Sequence, residues 1–147
     1  MAIAARTAET TWEGSLAKGA GKVKPATGAF NELDVTWAAR TEAPDGKTSP
    51  EELAAAAHSS CFAMALSAGL SKAKTPPEKL TVSATVTLDE VDGAPTVVSS
   101  ELTVTGRVPG IDENTFIQAV DDAAANCPIS RLFAGAQITA EATLETD

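Results

Sequence analysis

The sequence predicts an α+β domain in which antiparallel sheet packs on a long central helix and a second helix, in the order βββ-α-ββ-α-β. Three observations carry this reading. The stretch from Leu53 to Ser71 holds no formal charge and follows a strong helix start, Ser49-Pro50-Glu51-Glu52. From Leu80 onward, apolar residues recur at every second position, the period of a half-buried strand. Before the long helix, short runs rich in Thr, Val and Trp alternate with turn residues.

In order along the chain, strands are expected over Thr7–Gly14, Lys22–Ala26 and Glu32–Arg40, with a loop through Lys18-Gly19-Ala20-Gly21. Pro44-Asp45-Gly46 marks a turn. Ser49 then offers an N-cap, Pro50 suits the first helical position, and Glu52 stands where a capping box needs it, so a helix runs to about Ser71. Leu80, Val82, Ala84, Val86 and Leu88 alternate with Thr and Ser; Asp92-Gly93-Ala94-Pro95 turns the chain; and Val98, Leu102, Val104 and Val108 continue the apolar face of a long hairpin. Asp112 caps a second helix whose Phe116, Val120, Ala123 and Cys127 share one stripe, so Cys127 faces the core. Pro128 ends that helix and opens a short turn through Leu132, with Cys127 at its N-terminal side, where partial positive charge favours a thiolate. Ile138, Ala140, Ala142 and Leu144 form the last strand.

The bulk composition narrows the function. A chain of 147 residues is one domain by length, spanning 1–147 here, and buries roughly two-thirds of its unfolded surface, so it needs no disulfide to fold. Twenty acidic against 11 basic residues give a net charge of −9, which repels nucleic acid and anionic membrane alike. The opening segment from Met1 to Glu9 lacks a basic region followed by an apolar core, so no secretory signal is expected and the cytoplasm is the default compartment. The Ala, Ser and His content of 53–71 argues against a membrane span.

The chain has two cysteines, and in a reducing compartment a cysteine pair points to catalysis or metal binding before structure. Cys61 lies deep in the charge-free helix, immediately after His58, Ser59 and Ser60, so that segment either tolerates or requires polarity. A buried small hydrophobe is the plain alternative for it. His58, three residues earlier, reads either as a base or ion-pair partner of Cys61 or as a hydrogen-bonded helix histidine, and the second is preferred. A metal site would join His58, Cys61 and Cys127, but the absence of C-x-x-C and of a second histidine argues against it.

Ser49-Pro50-Glu51-Glu52-Leu53-Ala54-Ala55-Ala56-Ala57-His58-Ser59-Ser60-Cys61-Phe62 resembles the signature of the osmotically inducible protein C and organic hydroperoxide resistance (OsmC/Ohr) family, and Asn126-Cys127-Pro128-Ile129-Ser130 resembles its second-cysteine motif. Thr11-Trp12-Glu13-Gly14 and Val108-Pro109-Gly110-Ile111-Asp112 lean toward the OsmC branch. The resemblance spans nearly the whole chain. It implies a cofactor-free thiol peroxidase for organic hydroperoxides, built as an intertwined homodimer with active sites at the subunit interface. Cys61 would be the peroxidatic thiolate, Cys127 the resolving thiol, and Glu51 with an arginine the clamp that activates Cys61. Arg40, expected at the end of the third strand, is the arginine chosen; the Ohr branch takes its own from an earlier loop, which here holds Lys18.

The resemblance also implies a Cys61–Cys127 disulfide reopened by a small or lipoyl-type dithiol. Phe62, Met64, Leu132 and Phe133 read either as an apolar approach for alkyl peroxides or as ordinary core. Glu51 and Cys61 are ten residues apart, about 15 Å along a straight helix, so the shared site calls for an antiparallel copy of the helix crossing near Ala56. The rival from another class is a non-enzymatic module of the same fold that binds a small acyl or thiol ligand.

Overall fold

Local signals account for most of the element boundaries in a computed structural model that describes residues 2–146. The elements are β1 (Ala8–Glu13), β2 (Ala20–Pro25), β3 (Leu33–Val35), α1 (Trp37–Thr41), α2 (Pro50–Lys72), β4 (Lys79–Val91), β5 (Ala94–Arg107), α3 (Glu113–Asn126), α4 (Pro128–Leu132) and β6 (Gln137–Leu144). They form an α+β fold with two three-stranded sheets, β1-β2-β3 and β4-β5-β6. The chain divides into two compact units, residues 1–53 and 54–147.

In the first unit β1, β2 and β3 pair antiparallel, with Thr10 opposite Val23 and Gly21 opposite Val35. The predicted strand Glu32–Arg40 is cut short. Only Leu33–Val35 pairs as a strand, and residues 37–41 form the short helix α1. The physical reason is Thr36, whose side chain accepts the Ala39 N–H at 3.0 Å and so starts a helical turn where the apolar alternation fails at Ala38-Ala39. Arg40 therefore sits in a last helical turn, not at a strand end.

The start of α2 is capped in part as expected: Ser49 Oγ accepts the Glu52 N–H at 3.1 Å. Glu52 does not complete the reciprocal box; its carboxylate accepts from Thr48 Oγ1 at 2.6 Å. Thr48 in turn bridges to Val35, and its N–H donates to Asp34 O, which secures this end of α2 to β3.

In the second unit, β4 and β5 make the long hairpin. Asp92 and Gly93 both take positive φ, +52° and +80°, the two left-handed residues of a type I′ turn. A bulge falls where pairing shifts from Thr87–Ser99 to Leu88–Val97, leaving Val98 as the extra residue. The last strand departs from an all-antiparallel sheet: β6 runs parallel to β5, with Ser100 beside Ile138 and Val104 beside Ala142. The cause is connectivity, because α3 and α4 carry the chain back across the sheet before β6 begins. The core lies between this sheet and the helices, where Phe62, Leu66 and Leu70 of α2 meet Leu102 and Val104 of β5 and Phe116 and Val120 of α3. Gly106 is required there, since a Cβ would stand 2.6 Å from the Phe116 ring.

The buried residues of α2 are His58, Phe62, Leu66 and Leu70, one per turn. Ala56, Ser60, Met64 and Ala68, also one per turn, form an exposed stripe. By length and composition α2 is apolar enough to cross a membrane, at a mean hydropathy of 1.4 with 22% of its most apolar window buried. Core helices of soluble proteins pass the same test.

Candidate active site

The functional residues expected from sequence fall into two groups, one in each unit. In the first unit α1 presents Arg40 and the first turn of α2 presents Glu51. They form a two-pronged ion pair, with Arg40 Nε donating to Glu51 Oε1 at 2.9 Å and Nη2 to Oε2 at 2.7 Å. Both side chains are shielded, at 29% and 11% exposure, so the pair is far less screened than a surface bridge. The Glu51 hydrogen bond and charge hold Arg40 above its ordinary pKa against the opposing effect of burial. The Trp37 ring lies 5.8 Å from the guanidinium carbon.

Beside Arg40 opens a hollow of about 520 Å³, walled mainly by Trp12, Leu16, Val23, Val35 and Trp37. Both of the chain's tryptophans line it. Sequence reading did not find this hollow, although two tryptophans in a chain with 4% aromatic residues were a usable signal. Lys18, the alternative cation, is exposed in the turn before β2, where its backbone N–H donates to Ser15 Oγ.

In the second unit α2 presents Cys61 and the junction of α3 with α4 presents Cys127. Both are free thiols, Cys61 half-buried and Cys127 fully buried. Cys127 belongs to the hydrophobic core, and Cys61 packs against that same core. Asp112 caps α3 as expected, accepting the Thr115 N–H at 2.8 Å, and Cys127 both ends α3 and stands at the N-cap of α4, with Pro128 at the first helical position. The expected turn is thus a five-residue helix. Ile129, in its first turn, packs against the same core as Cys61. Burial first, then the hydrogen bond with Cys127, push the Cys61 thiol above its ordinary pKa, and the Ile129 N–H partly offsets them.

His58 is a hydrogen-bonded helix histidine. Its Nδ1 lies 2.6 Å from Ser100 Oγ and its Nε2 2.8 Å from Ser130 Oγ, so both ring nitrogens are occupied. Burial pushes its pKa down, which keeps the ring neutral at neutral pH. The polarity before Cys61 has a local explanation, since the Ser59 and Ser60 hydroxyls donate back to the Ala56 carbonyl at 3.2 and 2.8 Å. The four residues considered for an apolar approach divide. Phe62 is core, Phe133 is partly buried with its ring edge-on to His58, and Met64 and Leu132 are 73% and 72% exposed.

A thiol pair on an α+β scaffold of this topology defines a class, and the comparisons with known proteins identify it. The family model described as OsmC-like protein matches residues 43–142. Peroxiredoxin OsmC of Escherichia coli K12 is 38% identical over 134 residues, covering 91% of this chain and 90% of that protein. The structure of an organic hydroperoxide resistance protein OsmC from Legionella pneumophila superposes with a TM-score of 0.73 at 20% identity, covering 99% of this chain and all of that one. An OsmC-like protein of Vibrio cholerae gives 0.75 at 18% identity, over 95% of this chain and 99% of that one. At such identities these two structures establish the fold. The chain belongs to the OsmC-like protein family.

Proposed function

We propose that this protein is a cofactor-free, thiol-dependent peroxidase that reduces organic hydroperoxides to alcohols, with Cys61 as the peroxidatic sulfur and Cys127 as the resolving one. The observation that supports it best is a pair of free thiols of unequal exposure at one core, Cys61 half-buried and Cys127 fully buried. The names of the relatives, peroxiredoxin and organic hydroperoxide resistance protein, point the same way. The Cys61 thiolate attacks the O–O bond, the alkoxide takes a proton and leaves as the alcohol, and the sulfur becomes a sulfenic acid. Cys127 then displaces water to form the disulfide, and a dithiol reductant, of lipoyl type on the family resemblance, reopens it.

Activation is the demanding step, because a single chain holds Cys61 above the ordinary thiol pKa. A guanidinium cannot lose its proton and so dependably favours a thiolate. Arg40, aligned by Glu51, is the cation of this reading, and it comes from a second copy of the chain. The exposed stripe Ala56, Ser60, Met64 and Ala68 favours that arrangement, since its small residues permit a close antiparallel crossing of two α2 helices near Ala56. The crossing would bring Glu51 and Arg40 of one subunit level with Cys61 of the other. The apolar hollow beside Arg40 suits an alkyl group, which accounts for a preference for organic over hydrogen peroxide. The same pairing of α2 helices covers its apolar surface in a soluble, cytoplasmic protein.

One equivalent of cumene hydroperoxide should remove two protons per chain by mass spectrometry; an unchanged mass would favour the binding module. For the shared site, inactive Glu51→Ala and inactive Cys61→Ser chains, mixed, should regain one working site per heterodimer. No recovery in a verified heterodimer would rule the shared site out.

A further inference from the structure

His58 is the chain's single histidine, and it is fully buried. Its ring joins three elements: α2, which carries it, β5 through Ser100, and α4 through Ser130. A neutral imidazole has one donor and one acceptor nitrogen, so one serine accepts from the ring N–H while the other donates its hydroxyl to the bare nitrogen. Among the described residues no buried side-chain polar atom lacks a partner, so the link is complete.

The position of Ser130 gives the link its consequence. It directly follows Ile129, which packs with Cys61 against the core that holds Cys127, and Cys127 is the residue that opens the same helix. His58 itself lies three residues before Cys61 on α2, on a neighbouring part of the helix surface. A five-residue helix is too short to be stable by its own backbone bonds, and α4 has no side-chain cap at its N-terminus. It depends on contacts such as the His58–Ser130 bond and the Phe133 ring that packs edge-on to His58 at 5.3 Å.

We infer that His58 is a positioning residue for the thiol pair: through Ser130 it fastens the first turn of α4 to α2, and so sets how Cys127 faces Cys61. The inference rests on the peroxidase reading above. The step it governs is resolution. The Cys127 sulfur attacks the Cys61 sulfenic sulfur, the S–S bond forms, the S–O bond breaks, and hydroxide leaves as water with the proton of the Cys127 thiol. With the tether lost, this step slows, the sulfenic acid persists, and a second hydroperoxide oxidises it to sulfinic acid.

The test follows the reduced full chain by rapid quench and mass spectrometry after addition of cumene hydroperoxide. Ser130→Ala should slow disulfide formation by about tenfold, the effect of one buried hydrogen bond, and raise the ratio of sulfinic acid to disulfide. Ser130→Thr keeps the hydroxyl and should stay within about threefold of wild type. A merely structural serine would lower the melting temperature of Ser130→Ala without changing the product ratio, and a wild-type rate and ratio in that variant would overturn the inference. A second measurement needs no substitution. In nitrogen-15 spectra of the wild-type chain the lone imidazole should shift when the cysteine pair is oxidised, and identical ring signals in the two states would also overturn it. If the wild-type chain forms no disulfide at all, the peroxidase reading fails instead.

Discussion

The two units differ sharply in how they are held together. In the unit 54–147 a sheet of long strands packs on α2 and α3, and Phe62, Phe116 and Val104 are wholly buried. In the unit 1–53 all six residues of β1 are exposed, and the buried hydrophobic side chains are Val23 and Ala39. The well-packed unit carries the thiols; the thinly packed one carries the Arg40–Glu51 pair and the apolar hollow. On the proposed reading, chemistry that forms and breaks a disulfide needs sulfurs fixed against each other, whereas a charged clamp tolerates a lighter scaffold. The contrast teaches that the first unit, taken alone, has too little core to account for its own stability.

That division can be broken at several points. Cys61→Ser should abolish turnover with every reductant, while Cys127→Ser should consume one peroxide and then over-oxidise at Cys61, as read by peroxide consumption and intact mass. Equal residual activity in the two would sink the assignment. Arg40→Met should slow the peroxide step by about 10- to 1000-fold at neutral pH, the span of one to three pKa units that a neighbouring cation is worth, and should raise the midpoint of Cys61 alkylation. A shift in Lys18→Met instead would transfer the role to Lys18.

Stability should follow the well-packed unit, 54–147. Phe116→Ala should cost about 3–5 kcal/mol in urea unfolding, and Gly106→Ala, which drives a Cβ into the Phe116 ring, about 1–3 kcal/mol. A smaller effect comes from His58. Its folded pKa lies below the ordinary value of 6.5, so the unfolded chain takes up the proton first. Stability should be complete above that ordinary value and fall as pH drops from it toward the folded value, by at most about 1.4 kcal/mol per pH unit. The unfolding midpoint of His58→Phe should lack this slope. Smallest of all, Lys22→Ala breaks an ion pair whose side chains are 59% and 55% exposed, and should leave the melting temperature unchanged.

What could be read in the sequence was what depends on near neighbours. Ser49-Pro50, Asp112 and Asp92-Gly93 marked helix starts and a hairpin correctly because a cap or a turn is decided within four residues. Glu32–Arg40 misled because its apolar residues suit a strand while one threonine side chain settled the matter for a helix. The parallel β6 was not legible, since direction depends on the path of the crossover and not on the alternation of Ile138, Ala140, Ala142 and Leu144. Cys61, Cys127 and Glu51 were singled out through the motifs that hold them, and Arg40 as the arginine ahead of the first of these. Ser100 and Ser130 were not, because they meet His58 across 42 and 72 residues of chain and nothing in an isolated serine announces such a partner.

The parallel strand also bears on how the protein is made. Arg107 of β5 and Glu145, just past β6, meet at 3.1 Å across 38 residues, so β6 can dock only after α3 and α4 have been synthesised and folded back over the sheet. Non-local pairings of this kind come late in folding. Until then β5 presents an open edge to any other strand. The nascent chain is therefore open to aggregation along that edge until β6 pairs with β5.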